Sequence, residues 1–267
     1  MLECLVDGEI SSQVSVLDRG LQYGDGVFET LAVIRGQPRF WQSHMDRLAI
    51  GCERQQLPVP PQTVLLREVQ TVSAGQGDCV VKIIVTRGLS GRGYAPSVPV
   101  VANRIVSSYA WPDDPGHLDQ VGIRTRICKL RLALQPALSG IKHLNRLEQV
   151  MARSEWTDRS VHEGILLDRQ DQVVSAISSN IFLITGDRLL TPRMDRCGVR
   201  GVMRANILKA FKPRCEQRRI SLDMLPEADS VFVCNSVRGI FPVVRIDHWE
   251  FGISPVIREI QIWLEDQ

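Results

Sequence analysis

Two spacings of apolar residues alternate along this chain and divide it into elements. After Ser43, Met45, Leu48 and Cys52 recur at helical spacing until Leu57-Pro58, which predicts a helix with Ser43 as its N-cap. A second helix is predicted over Gln62 to Val72, a third over Leu144 to Trp156, where Leu144, Leu147 and Met151 share one side, and a fourth from Pro255 to Trp263 with Ser254 as its cap. Between them lie short, densely apolar runs that read as strands. They include Leu2–Val6, Leu31–Ile34, the β-branched Cys79–Thr86, Val100–Tyr109 and the alternating Val121–Ile127. Four more follow in quick succession within residues 163–191, and Ala228–Val237 runs into a polar turn. Strands grouped with helices in each half predict an α+β protein, with a meander of antiparallel strands in the second half. Trp111-Pro112-Asp113-Asp114-Pro115-Gly116 gathers turn formers and acids, and marks a boundary between a domain of residues 1–112 and one of 113–267.

Composition narrows the class. The 267 residues are 44% hydrophobic and 23% charged, which suits a soluble globular protein with a sizeable core. A formal net charge of +2, with its basic residues scattered, does not suggest a nucleic-acid partner. Seven cysteines, none in a C-x-x-C spacing, read as buried thiols of a reducing cytoplasm rather than a disulfide framework or zinc ribbon. The five histidines form no metal-ligand spacing, and no apolar run is long enough to cross a membrane. The sequence therefore predicts a cytoplasmic protein with no metal, no nucleic-acid partner and no membrane partner.

Candidate chemistry begins at Ser139-Gly140-Ile141-Lys142-His143-Leu144-Asn145-Arg146-Leu147-Glu148, where a lysine stands between an apolar approach and a helical pattern. Burial would disfavour its ammonium form and leave an amine able to form a Schiff base or take a proton. Alone, the segment reads more readily as an ordinary solvated lysine preceding a helix. A second candidate is Cys197-Gly198-Val199-Arg200-Gly201-Val202-Met203-Arg204, a glycine-rich turn opening a helix that runs to about Phe211. Unpaired amides at such a helix start attract phosphate, though close packing on a neighbour would also select these glycines.

Asp18-Arg19-Gly20-Leu21-Gln22-Tyr23-Gly24-Asp25-Gly26-Val27-Phe28-Glu29-Thr30 resembles the N-terminal hallmark of the fold-type IV pyridoxal-phosphate enzymes. That family includes branched-chain and D-amino-acid aminotransferases and 4-amino-4-deoxychorismate lyase. Further matches extend the resemblance over nearly the whole chain: His44-Met45-Asp46-Arg47-Leu48 is similar to H-x-x-R-L, and Arg87-Gly88-Leu89-Ser90-Gly91-Arg92-Gly93-Tyr94 to the R-G-x-x-G-R-G-Y loop of the lyases. The lysine segment G-I-K-H-L-N-R-L-E-Q-V resembles the lyase branch as well.

The resemblance implies pyridoxal 5'-phosphate as cofactor, a smaller N-terminal α/β domain with a barrel-like C-terminal one, and a homodimer. It makes Lys142 the cofactor-bearing catalytic lysine. Arg47, the amides of Val202 and Met203, and Ser236 become phosphate ligands, with Asn180 beside the cofactor. Arg92 is the candidate for a substrate carboxylate. One position departs from the family pattern E-x-x-x-x-N-[aliphatic]-F, in that Ser175 stands where the acid faces the pyridine nitrogen. A serine can hydrogen-bond that nitrogen but cannot hold a proton there by charge, so the ring is a weaker electron sink. Elimination needs less of that sink than transamination, because electrons depart with the leaving group. The implied activity is loss of pyruvate from 4-amino-4-deoxychorismate to give 4-aminobenzoate for folate biosynthesis. The alternatives are a D-amino-acid or branched-chain aminotransferase, and a cofactor-binding protein of little activity.

Overall fold

The computed structural model describes residues 3–113 and 117–267. The strand predicted at Leu2 and the linker residues Asp114, Pro115 and Gly116 lie in part outside the described residues. The chain divides into two compact units, one of 1–112 together with 141–145, and one of 113–140 together with 146–267.

The first unit is a six-stranded sheet under two helices. Its strands are β1 (Cys4–Val6), β2 (Glu9–Ile10), β3 (Gly26–Ile34), β4 (Gln37–Pro38), β5 (Cys79–Thr86) and β6 (Asn103–Ala110), joined antiparallel in the order β2-β1-β6-β5-β3-β4. A short helix α1 (Arg19–Tyr23) precedes β3, and α2 (Trp41–Arg54) and α3 (Gln62–Ser73) cover one face of the sheet. Alternation along the strands aims Val27, Leu31 and Val33 of β3 and Val81, Ile83 and Val85 of β5 into a single core with Met45, Leu48, Leu65 and Val69 of the helices. The predicted cap at Ser43 is not used. Helix α2 begins at Trp41, and Phe40 at φ 54° makes the turn by its own left-handed backbone, so Ser43 lies inside the first turn.

The second unit is a nine-stranded half-barrel. After α4 (Leu118–Val121) come β7 (Ile123–Leu132), α5 (Leu147–Arg153), β8 (Glu163–Asp168), β9 (Val173–Ala176), β10 (Asn180–Thr185) and β11 (Arg188–Pro192). Helix α6 (Val202–Ala210), β12 (Cys215–Arg218), β13 (Ser230–Asn235), β14 (Gly239–Ile246), β15 (Trp249–Glu250) and α7 (Pro255–Glu265) complete it. The sheet order is β12-β11-β10-β13-β14-β7-β8-β9, with β15 on β14. Its interior packs Ile165, Leu167, Ile181, Leu183, Val231 and Val243 together. Every residue of β8 is buried, and the apolar run Gly164-Ile165-Leu166-Leu167 at its centre is bounded by Glu163 and Asp168.

Two predicted boundaries move for local reasons. Gly122 at φ 86° ends α4 and delays the strand predicted at Val121 to Ile123. The helix predicted from Leu144 starts only at Leu147, because residues 141–145 pair with β3 instead. Phe28 N–H donates to the Lys142 carbonyl at 2.9 Å, and Leu144 N–H to the Gly26 carbonyl at 2.9 Å.

Candidate active site

That pairing sets the position of Lys142. The preceding Gly140 adopts φ 83°, a turn an L side chain resists, and Ile141 beyond it is buried. Held against the edge of β3, Lys142 is half-buried, and its Nζ lies 4.1 Å from the centroid of the Phe28 ring. The same strand edge receives Asn145, whose Nδ2 donates to the Gly24 carbonyl at 3.0 Å. Gly24 is left-handed at φ 66°, and a Cβ there would come within 2.7 Å of Asn145 Oδ1. The glycine-rich N-terminal run and the lysine segment are thus fitted to one another inside the first unit.

The charged residues of that run brace a loop. Asp18 caps α1 by accepting from Gly20 N–H, and also takes hydrogen bonds from Thr86 and Asn103. Buried Arg19 pairs with Asp25 at 2.8 Å and donates to the carbonyls of Gly93 and Tyr94. Arg87 reaches the same Asp25 at 2.8 Å. Burial acts to raise the Asp25 pKa, but the hydrogen bonds and charges of Arg87 and Arg19 outweigh it and hold the carboxyl below its ordinary value. Arg92, the substrate-carboxylate candidate, is exposed in the loop so anchored.

Arg47 of α2 meets β3 through Glu29, which is fully buried. Its Nε donates to Glu29 Oε1 at 2.7 Å and its Nη2 to Oε2, a planar fork of the kind guanidinium and carboxylate form best. His44, one turn earlier and equally buried, places Nδ1 2.7 Å from Glu29 Oε2. Burial alone would raise the Glu29 pKa; the charge and fork of Arg47, then the His44 contact, overcome it and bring the value down to about 2. For His44, burial dominates and lowers its pKa despite the carboxylate, with Arg47 and Lys142 adding to the fall. The result is an ionised Glu29, a neutral His44 donating from Nδ1, and an Arg47 held rigidly by one edge. Glu29 and His44 belong to the motif runs, as the acid of F-E-T and the histidine of H-x-x-R-L, yet no role for either follows from spacing.

In the second unit the glycine turn and the start of α6 lie against Asn180. Asn180 Nδ2 donates to the Val199 carbonyl at 3.0 Å, and Gly201, the N-cap of α6, has no side-chain cap. The first amides of this nine-residue helix are therefore left without a side-chain cap at the positive end of its dipole, and the side chains of Val202 and Met203 are buried. Arg204, in the same turn, is buried among neutral acceptors, donating to Thr191 Oγ1, the Pro192 carbonyl and Gln217 Oε1; burial pushes its pKa down to about 10. A Cβ on Gly201 would lie 1.9 Å from Asn180 Oδ1. Gly201→Ala is therefore expected to break the Asn180–Val199 bond and cost about 1–3 kcal/mol through steric conflict. Chemical denaturation would read the loss, and a phosphate-affinity measurement the displaced turn.

Ser236 sits half-buried in the turn after β13, where Asn235 Oδ1 accepts from the amides of Val237 and Arg238, and Asn235 Nδ2 donates to Ser179 beside Asn180. Ser175 lies on β9, opposite Leu166 of β8, and is buried. Two buried acids, Glu163 and Asp168, stand at the ends of β8 in this strand pair. Glu163 Oε2 accepts from both the amide and the hydroxyl of Ser178. Glu163 lies three positions before Leu166, so pleating puts it on the face of the sheet opposite Ser175. Among the described residues no group of three or more metal-ligating side chains occurs, and no helix is long and apolar enough to cross a membrane.

Comparison with known proteins agrees with this geometry. Residues 26–246 match the amino-transferase class IV family. An aminodeoxychorismate lyase from Vibrio harveyi is 32% identical over 96% of this chain and 97% of its own. The crystal structure of 4-amino-4-deoxychorismate lyase from Pseudomonas aeruginosa is 43% identical and superimposes with a TM-score of 0.94, over 99% of this chain and 98% of that one. A hypothetical aminotransferase from Mycobacterium tuberculosis, in its PLP-bound form, shares the fold at a TM-score of 0.85 and 18% identity, over 98% of this chain and 97% of its own. The family match over residues 26–246 and the 32% identity over nearly the whole chain agree with the α+β architecture of the fold: this chain belongs to the amino-transferase class IV family.

Proposed function

We propose that the chain is an aminodeoxychorismate lyase, which uses pyridoxal 5'-phosphate to eliminate pyruvate from 4-amino-4-deoxychorismate and yield 4-aminobenzoate. The observation that carries this reading is the half-buried Lys142, set over Phe28 by a G-I-K-H-L-N-R-L segment that pairs with β3. The residues present fit the cofactor. An uncapped helix start, a carboxylate-held arginine and a hydroxyl in a strand turn are phosphate-binding chemistry, and a half-buried lysine is the amine that holds an aldehyde.

When bound, pyridoxal phosphate supplies a conjugated ring that, once joined to the substrate amine, acidifies the neighbouring C–H. The chain's own residues do the rest. The amides of Val202 and Met203, with Arg47 and the Ser236 hydroxyl, would hold the phosphate. Asn180 fixes the turn that presents those amides. Ser175 would hydrogen-bond the pyridine nitrogen without fixing a charge on it. Lys142 would hold the cofactor aldehyde and, as a free amine, would accept the proton from substrate C4. The C–O bond to the enolpyruvyl group breaks, the released enolate takes up a proton to become pyruvate, and the carbocycle becomes aromatic. Seven free thiols suit the reducing cytoplasm, and the exposed Ile10, Val16, Leu17 and Leu21 suit burial in a homodimer.

Amino donors separate this reading from an aminotransferase. With D-alanine or leucine, the visible band of the cofactor-loaded protein is expected to persist. Its replacement by the shorter-wavelength band of the amine form of the cofactor would sink the lyase assignment.

A further inference from the structure

The sheet of the first unit has a second face, opposite α2 and α3, and it carries a row of polar side chains. Backbone register aligns Thr30 of β3 with Lys82 of β5, and Lys82 with Ser107 of β6, so the three side chains stand abreast on one face. Phe28 lies on that face two residues from Thr30. Lys82 Nζ is 5.1 Å from the Phe28 ring centroid, and Lys142 Nζ is 4.1 Å from the same centroid. Lys82 is half-buried, and none of the ion pairs formed by the described residues includes it.

Two ammonium groups on one aromatic ring repel each other, and a half-buried cation without a carboxylate is left with uncompensated desolvation. An anion drawn to the row would relieve both. The donors are the Lys82 ammonium and the Thr30 hydroxyl beside it, a set that suits a carboxylate, while buried Ser107 on the other side donates to Tyr109 Oη at 3.3 Å. From this we propose that Lys82, flanked by Thr30 and Ser107, binds a carboxylate of the substrate while Lys142 acts at its amine end. The inference rests on the lyase reading, under which the substrate carries one carboxylate on the ring and another on the enolpyruvyl ether. It moves the carboxylate site from exposed Arg92 to a residue on the same ring as the catalytic lysine.

The test compares the cofactor-loaded wild type with Lys82→Met and Lys82→Arg. In Lys82→Met the visible band and the unfolding temperature are expected to stay as in wild type, while KM rises about tenfold to a hundredfold with a much smaller change in kcat. Calorimetric titration with 4-aminobenzoate and with pyruvate shows which carboxylate is held, since Lys82→Met should weaken one of them. 4-Aminobenzamide, the uncharged analogue, should bind wild type and Lys82→Met alike, and Lys82→Arg should recover most of the affinity. A wild type that turns over substrate while Lys82→Met keeps its KM and its affinity for both acids would overturn the role of Lys82. A wild type that makes no 4-aminobenzoate would overturn the lyase reading instead.

Discussion

Lys142→Ala is expected to abolish turnover, lowering kcat by about three to six orders of magnitude, because in the proposed function one amine both carries the cofactor aldehyde and takes the substrate proton. The visible absorption of cofactor held on a lysine should disappear with it. Stability should hardly change. Lys142 is half-buried, and the segment is retained through its main chain, by the Phe28 amide on the Lys142 carbonyl and by Leu144 on Gly26. Urea unfolding within about 1 kcal/mol of wild type, together with lost activity, would assign the effect to chemistry. Residual turnover near the wild-type level would remove Lys142 from the centre of the mechanism.

Glu29→Gln is expected to give the largest loss of stability among conservative substitutions. It takes away the buried charge that Arg47 forks and His44 contacts, and breaking one side of such a pair costs about 3–5 kcal/mol. For a chain of this size that lowers the unfolding temperature by about 6–20 °C. The pH dependence follows from the depressed pKa. Glu29 titrates near 2 when folded, against an ordinary 4.5. Its stabilisation is therefore fully present above about pH 4.5 and is lost as pH falls towards 2, as linkage requires for a carboxylate lowered on folding. Wild type should lose stability over that interval, and Glu29→Gln should show a flatter acid limb. Parallel acid limbs in the two proteins would show that Glu29 is not the group being protonated. Because the same carboxylate orients Arg47, the variant should also bind pyridoxal phosphate more weakly.

The parts of this site legible in the sequence are those whose chemistry is contiguous in the chain. Lys142, the Gly198–Gly201 turn opening α6, and Arg47 one turn after His44 stand out as candidates only because short runs around them resemble a family's motifs. What spacing cannot show depends on packing between elements. Glu29 and Arg47 are 18 residues apart and meet only because α2 lies across β3. Lys82 sits inside a β-branched run that reads simply as core; its register beside Thr30 and Ser107, on the face opposite α2 and α3, exists only once β5 is paired on both sides. Phe40 capping α2 by a left-handed backbone gives no signal of residue type, whereas Ser43 gives a false one. Likewise Leu144 fits the helical pattern but is drawn into the ladder with β3. Strands such as β5 and β8 were legible because runs of apolar residues dominate them. The two-residue strands and the polar β12 were not, since they hold by edge pairing alone.

The most direct test of the central claim is a product assay. Protein saturated with pyridoxal phosphate is mixed with 4-amino-4-deoxychorismate, and 4-aminobenzoate and pyruvate are quantified together over time. The account predicts that both appear in equal amounts and that neither appears with Lys142→Ala. A loaded wild type that forms neither product, or forms them at the same rate without Lys142, would contradict it.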